Sequence, residues 1–562
     1  MPHGSCYQVG VTTTRPGTDD VRARAQAWLA DDPDPAARAE LAAVLDRLPD
    51  SAADLADRFA GPLTFGTAGL RGPLRAGPNG MNLAVVRGAA AGLVRWLAAA
   101  GTPGPLVIGY DARYGSAEFA RQTARVATGA GRAALLLPGP LPTPVLAYAV
   151  RALDAAAGVM VTASHNPPQD NGYKVYLGAA AGGDLGAGAQ IVPPADEQIE
   201  AAIRAVGPLA AVPLGADGEV LGPELAQSYV DAVAALVDPA SARELAVAYT
   251  PLHGVGGQTL VRAMRAAGFA APAVVPEQEQ PDPDFPTVAF PNPEEPGAMD
   301  RVVALARATG ADLAIANDPD ADRCAVAVPD PVTGWRVLRG DEVGALLADH
   351  LMRRGRTGRF ATTIVSATLL RAMCTAAGRR YAETLTGFKW IVRGGDALDY
   401  GYEEALGYCV APDLVRDKDG ISAALLVCEL AAGLRAAGAT LSDRLDELAR
   451  RFGVYATDQL SVRVSELAEI AALMARVRAR PPARLLGGPV TAVDDLLPAA
   501  DVVTVRAAGT RVVVRPSGTE PKLKAYLEVV RPVFGDDLAG ARAVAAGALA
   551  ELRSEVTAML GQ

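Results

Sequence analysis

Histidine is scarce in this chain and cysteine is scattered. There are four histidines among 562 residues, with no grouping that would make a histidine-rich metal cluster. The five cysteines, Cys6, Cys324, Cys374, Cys409 and Cys428, form no CxxC pair. That excludes a disulfide framework and a structural zinc site, and a reducing cytoplasm is the expected compartment. The polar stretch 1–20 lacks the apolar core of a signal peptide. The apolar stretches 84–100 and 421–439 are interrupted by Arg87 and Arg95, and by Glu429 and Arg435. They read as buried amphipathic helices, so no membrane partner is expected. Excess positive charge is also missing: 53 basic residues against 63 acidic leave a formal charge of −10. Nucleic acid is therefore not an expected partner, and an anionic substrate would need its cations gathered locally. No GxxxxGK[ST] occurs, and His253-Gly-Val-Gly-Gly257 has Thr259 where a dinucleotide fingerprint needs its third glycine.

What is present alternates. After an Ala-rich, charged, helical stretch at about 20–60, β-prone and helical runs succeed one another: strand 106–110, helix 117–129, strand 133–137, helix 144–153. Such alternation predicts a parallel α/β sheet. The Gly-, Ala- and Pro-rich stretch 178–222 reads as a surface excursion with one helix inside it. A second α/β unit opens at 245–250 and a third at about Gly340. The last hundred residues, with β-prone runs at 500–505, 511–514 and 523–530 before a long helix, form an α+β unit of different character.

Four loops carry chemistry. Val159-Met-Val-Thr-Ala-Ser-His-Asn-Pro-Pro168 ends an apolar run in a hydroxyl, an imidazole and two prolines. The prolines stiffen the loop, so Ser164 suits a nucleophile or covalent phosphate carrier; a Ser-His pair standing alone would sooner be a polar turn, and it is the company of the other motifs that reverses this. Asp318-Pro-Asp-Ala-Asp-Arg323 follows another apolar strand, and its alternation directs Asp318, Asp320 and Asp322 to one side, which suits magnesium better than a solvated acidic turn. Arg323 and Pro329 occupy the sixth and twelfth places, which excludes an EF-hand. In Arg515-Pro-Ser-Gly-Thr519 the guanidinium can grip a phosphate, with Ser517, Thr519 and the amides around Gly518 completing a nest, though a plain β-turn is the alternative. In Gly401-Tyr-Glu-Glu-Ala-Leu-Gly407, Glu403 and Glu404 can accept sugar hydroxyls, and Arg416 and Lys418 can reach a phosphate. The loop with Thr386, Gly387 and Lys389 is a weaker candidate of the same kind.

Together with Phe65-Gly-Thr-Ala-Gly-Leu-Arg-Gly72, these ordered motifs resemble the α-D-phosphohexomutase family of phosphoglucomutases and phosphomannomutases. The 384–390 and 401–404 details are similar to its longer phosphoglucomutase and phosphopentomutase branch. The resemblance implies an α/β fold of four domains around a central cleft: three related mixed or parallel α/β sandwiches and a smaller C-terminal α+β domain. The expected divisions are an N-terminal helical arm at 1–60, a phosphoserine domain at 61–240, a metal-binding domain at 241–338, a sugar-binding domain at 339–455 and a phosphate-binding domain at 456–562. It implies Ser164 as phosphoserine and as a ligand, with Asp318, Asp320 and Asp322, of Mg2+. Arg71 and Lys174 would transfer protons or orient charge, assisted by His165. Arg323, Thr386, Gly387, Lys389, Glu403, Lys418, Arg515, Ser517, Gly518 and Thr519 would bind substrate. The implied reaction interconverts hexose 1-phosphate and hexose 6-phosphate, glucose first, through a sugar 1,6-bisphosphate; mannose and pentose phosphates are the nearest alternatives. A phosphoserine-type sugar phosphatase and a non-catalytic sugar-phosphate sensor are rivals of other classes. Many relatives carry Ser where this chain has Ala405, which leaves the sugar preference open. Small sugar phosphates are the expected partners, and oligomeric state is not legible.

Overall fold

A computed structural model describes residues 18–65, 69–464, 467–517 and 522–561. Three helices come first: Thr18–Asp31, Pro35–Asp46 and Ala52–Arg58. Asp34 caps the second by accepting from Ala36 N, with Pro35 in the first turn, where its missing N–H costs nothing. They close on one another around Leu41, Leu55 and Phe59, with Ala76.

The first sheet runs in the order Leu70–Pro73, Asp170–Leu177, Ala157–Val161, Leu106–Tyr110, Ala134–Leu136, Glu219–Val220. Its centre is parallel, as the alternation predicts, but Asp170–Leu177 runs antiparallel to both its neighbours. The sheet is thus mixed, because the loop at 162–169 returns the chain beside the strand it has just left. The stretch expected to be an excursion with one helix holds two, Ala179–Gly186 and Ala195–Arg204, and ends in the edge strand Glu219–Val220. Helix Ala195–Arg204 packs so tightly on Leu83–Ala99 that a Cβ at Gly92 would stand 2.7 Å from Ile203 N.

The second sheet has the order Gly334–Val337, Ala325–Asp330, Leu313–Ala316, Val247–Thr250, Ala273–Val274, and the third Arg380–Thr384, Arg359–Thr363, Leu398–Glu403, Gly407–Cys409. The fourth is six-stranded and wholly antiparallel, starting with Val454–Arg463 against Lys522–Arg531. One continuous apolar core joins the first three units: Leu146 and Tyr229, Leu260 and Ile315, Leu346 and Leu425 all belong to it. The last unit has a core of its own around Val505, Val512 and Leu552. No single helix among the described residues is long and apolar enough to cross a membrane.

Candidate active site

Ser164 stands just past the strand Ala157–Val161 with its backbone in the left-handed region, φ 52°. A non-glycine residue needs help to stay there, and Arg113 supplies it. Its Nη2 donates to the carbonyls of Ser164 (2.6 Å) and Asn166 (2.5 Å). Its Nη1 donates to those of Pro167 (2.7 Å) and Asp170 (3.1 Å). The guanidinium is buried beside Asp111 at 3.3 Å and lies 4.9 Å from the centre of the Phe285 ring, which comes from the second unit.

The Ser164 hydroxyl donates to Asp318 Oδ2 at 2.9 Å and lies 3.1 Å from His165 Nδ1. Which of the Ser164 hydroxyl and His165 Nδ1 donates to the other follows the protonation of Asp318 and the tautomer of the ring. Burial, then Arg323 and Arg71, hold the imidazole well below the usual histidine range. Lys174 lies opposite Met160 on the returning strand and donates to Asp320 Oδ2 (2.8 Å) and Asp322 Oδ2 (3.0 Å). Arg71 lies on the edge strand opposite Gly172 and donates to Asn166 Oδ1 at 3.1 Å.

Asp318, Asp320 and Asp322 are fully buried, and each offers a carboxylate oxygen within 4.8 Å of the others. At that spacing each like-charged pair repels by about 3 kcal/mol at an effective dielectric constant near 20. Lys174 offsets part of this, as does Lys418, whose Nζ is 3.2 Å from Asp322. Burial and the two neighbouring aspartates drive the Asp318 carboxyl well above its ordinary value. Burial would raise Asp320 and Asp322 too; the lysines reverse it, and both lie below the ordinary range. Among the described residues, Asp320 Oδ1 and Asp322 Oδ1 are buried with no hydrogen-bond partner. Two orphan carboxylate oxygens beside a third acid form a donor set that fits a hard divalent cation.

The pleat is not what gathers these acids. The chain leaves the strand at Ala316 and turns, with Ala321 at φ 55°. Three neighbours hold that turn. The 253–257 glycines lie against it: Val255 N donates to Pro319 O at 2.8 Å, and a Cβ at Gly254 would stand 2.3 Å from Pro319 Cα. From the first unit, Thr143 donates through N to Asp320 O (2.9 Å) and through Oγ1 to Asp320 Oδ2 (2.6 Å). From the third, Gly420 N donates to Ala321 O at 3.2 Å.

Glu403 ends the strand Leu398–Glu403. Burial pushes its carboxyl up to about 7, against the pull of Lys418 and Arg323. Arg323 Nη1 donates to Ala405 O at 2.9 Å, and its Nε lies 3.9 Å from Asp318 Oδ2. Glu404, expected to share the sugar-reading role, instead accepts from Ser366 Oγ (2.8 Å) and Thr363 Oγ1 (3.2 Å). Arg416, expected near a phosphate, donates to Asp184 O in the first unit. Thr386 and Gly387, the latter at φ 106°, precede Phe388, whose ring lies 5.6 Å from Lys418 Nζ. Lys389 has Asp196 and Arg393 as charged neighbours. Arg515 is half-buried beside Tyr526, and Ser517 N donates to Lys522 O at 2.8 Å. Gly518 and Thr519 lie outside the described residues.

The sequence matches, in order, the models of four domains described as phosphoglucomutase/phosphomannomutase: alpha/beta/alpha domain I at 62–210, domain II at 227–333, domain III at 339–452 and the C-terminal domain at 460–533. The chain belongs to the phosphoglucomutase/phosphomannomutase family. Members of this family are mutases, so the chain is an isomerase of the phosphohexomutase kind. It is 46% identical over 458 residues to a Haemophilus influenzae protein named "Probable phosphomannomutase", covering 80% of this chain and 93% of that one. A Schizosaccharomyces pombe "Probable phosphoribomutase" is 34% identical (82% and 86% covered), and a Staphylococcus aureus phosphoglucomutase 33% (85% and 92%). A solved family protein from Burkholderia thailandensis shares the fold, with TM-score 0.68 at 21% identity over 88% of this chain and 97% of that one. Within this family architecture, Arg113, Thr143 and Gly254 hold the serine and aspartate loops. Sequence reading passed over all three, and only the Gly-rich run at 253–257 gave a signal.

Proposed function

We propose that this chain interconverts hexose 1-phosphate and hexose 6-phosphate, with glucose phosphates as substrate, through a phosphorylated Ser164 and a sugar 1,6-bisphosphate. The observation that carries the reading is the Ser164 hydroxyl 2.9 Å from Asp318, in a trio of acids with two unpartnered oxygens. Asp318, Asp320 and Asp322, with an oxygen on Ser164, would hold Mg2+, which when bound neutralises phosphoryl charge. The Ser164 Oγ–P bond breaks as a sugar hydroxyl forms a new O–P bond, and the hydroxyl proton passes to a neighbouring base. His165, kept neutral by its surroundings, is suited to take it. Lys174, tied to two carboxylates, keeps its proton and orients the phosphoryl oxygens. Arg323, Glu403 and Lys418 face the sugar. Arg515, with Ser517, Gly518 and Thr519, grips the phosphate not being transferred, and Thr386, Gly387 and Lys389 help from the third unit. The bisphosphate then turns end for end, and its other phosphoryl group returns to Ser164. Closure of the last domain over the cleft keeps water from the phosphoserine.

The relative at 46% identity, named for mannose, favours a second reading: the same chemistry on mannose phosphates. A coupled assay on glucose, mannose and ribose 1-phosphates, with catalytic sugar bisphosphate, tests both. Isomerised sugar phosphate supports a mutase, and free phosphate as the main product overturns it. Ser164→Ala is expected to lose at least about 10^4-fold in turnover while keeping its fold. Full activity in that variant would refute the carrier role.

A further inference from the structure

Glu294 has no part in the chemistry above, yet it is placed as a recognition group is placed. It sits on Pro291-Asn-Pro-Glu-Glu-Pro296, where three prolines in six residues stiffen the chain. Asn292 Oδ1 accepts from Glu294 N at 3.2 Å and fixes the turn. The side chain remains 39% exposed, with Oε2 3.3 Å from Arg323 Nη1. That same Nη1 donates to Ala405 O, and the guanidinium also reaches Asp318. One arginine thus joins the transfer site, the Glu403 loop and Glu294.

Around Glu294 the charged neighbours are Arg323, Glu404, Lys524 and the adjoining Glu295, so the second, third and fourth units all meet there. Glu404 is engaged by Ser366 and Thr363, and position 405 offers only a methyl group. Glu294 and Glu403, from different units, are then both charged neighbours of the guanidinium. Glu294 Oε1 accepts no hydrogen bond among the described residues. A carboxylate held by one oxygen and open at the other accepts a hydroxyl well, and a site built for a hydroxyl discriminates strongly against an analogue lacking it.

We propose that Glu294 is a specificity-determining residue: it accepts a hydrogen bond from a ring hydroxyl of the bound sugar, across Arg323 from Glu403. This rests on the mutase reading of the same cleft. The test measures kcat/KM of the full chain for glucose, mannose and ribose 1-phosphates with glucose 1,6-bisphosphate present. Glu294→Gln keeps the shape and removes the charge; it is expected to shift the ratio between preferred and second sugar by about tenfold to a hundredfold, mainly through KM. Glu294→Asp, which keeps the charge, should restore part of the wild-type ratio. An equal fall on all three sugars, as a purely structural partner of Arg323 would give, overturns the proposal, and so does no change. If the wild-type chain isomerises none of the three sugars, the mutase reading fails and takes this inference with it. Wild-type turnover with unshifted ratios defeats the inference alone.

Discussion

Two joints between units differ in kind. Where the first unit meets the second, the contacts are buried, ionic and at the chemistry itself. Ser164 reaches Asp318, Lys174 reaches Asp320 and Asp322, Thr143 reaches Asp320, and a common apolar core lies behind them. Where the third meets the fourth, the apolar contact is small: Val365 with Val502, Val513 and Tyr526. The rest is polar, with ion pairs Arg511–Glu383 (3.8 Å) and Arg542–Asp446 (2.5 Å) beside hydrogen bonds. Arg511 donates to the carbonyls of Ile364 (3.1 Å) and Ser366 (2.5 Å), and Glu528 accepts from Thr368 N (2.6 Å) and Oγ1 (2.8 Å). A joint made of a shared core resists displacement, because any shift opens voids. A joint of a few polar contacts between separate cores can exchange partners with water at little cost. The first arrangement suits atoms that must stay within hydrogen-bonding distance; the second suits a part that must admit and release substrate.

The hardest way to break the first joint is Asp320→Asn. It removes a proposed cation ligand and one of the two carboxylates paired with Lys174, and a loss of about 10^3-fold in kcat with weakened magnesium dependence is expected. An unchanged metal titration would argue against this site. Arg511→Met strikes the second joint. It strips donors from two carbonyls and leaves Glu528 without its nearby cation at 3.4 Å. KM for every sugar phosphate should rise about ten- to thirtyfold with kcat less affected; an equal loss in kcat would mean that this joint is as rigid as the other. Thr143→Val tests the first joint without replacing a proposed ligand, removing only the hydroxyl that donates to Asp320. Urea unfolding should show about 1–2 kcal/mol lost, and a still smaller loss would show the Thr143 contact to be dispensable. The smallest effect is one of pH. Glu403, at about 7, ionises across neutrality, and as a carboxylate it accepts hydroxyls and attracts Lys418 more strongly. KM should fall a few-fold as pH rises from about 6 to about 8, and Glu403→Gln should flatten that trend.

Residues whose chemistry lies in their own side chains were legible. Ser164, the three aspartates and Lys174 sit in dense polar motifs directly after apolar runs, and the fold brings them together. The family and the four-unit fold followed from the order of those motifs. Supporting groups were hidden because they act through backbone atoms or across domains. Arg113 holds carbonyls, which have no identity in a sequence, and Thr143 meets Asp320 across 177 positions. The antiparallel return at 170–177 was hidden for another reason: a loop crowded with functional residues also happens to be a hairpin turn. Glu404 and Arg416 were misplaced because a charged side chain beside a site can equally turn to Ser366 or to Asp184.

The aspartate turn is walled by Thr143 before it in the chain and by Gly420 after it, and its charge is offset by Lys174 before it and Lys418 after it. A growing polypeptide therefore exposes these acids with one lysine available and the other still to be made. Two lysines still leave the three carboxylates in excess, and the turn gains its last wall only when the third unit docks, so a cradle shaped for a divalent ion should belong to the assembled chain and to no segment taken alone.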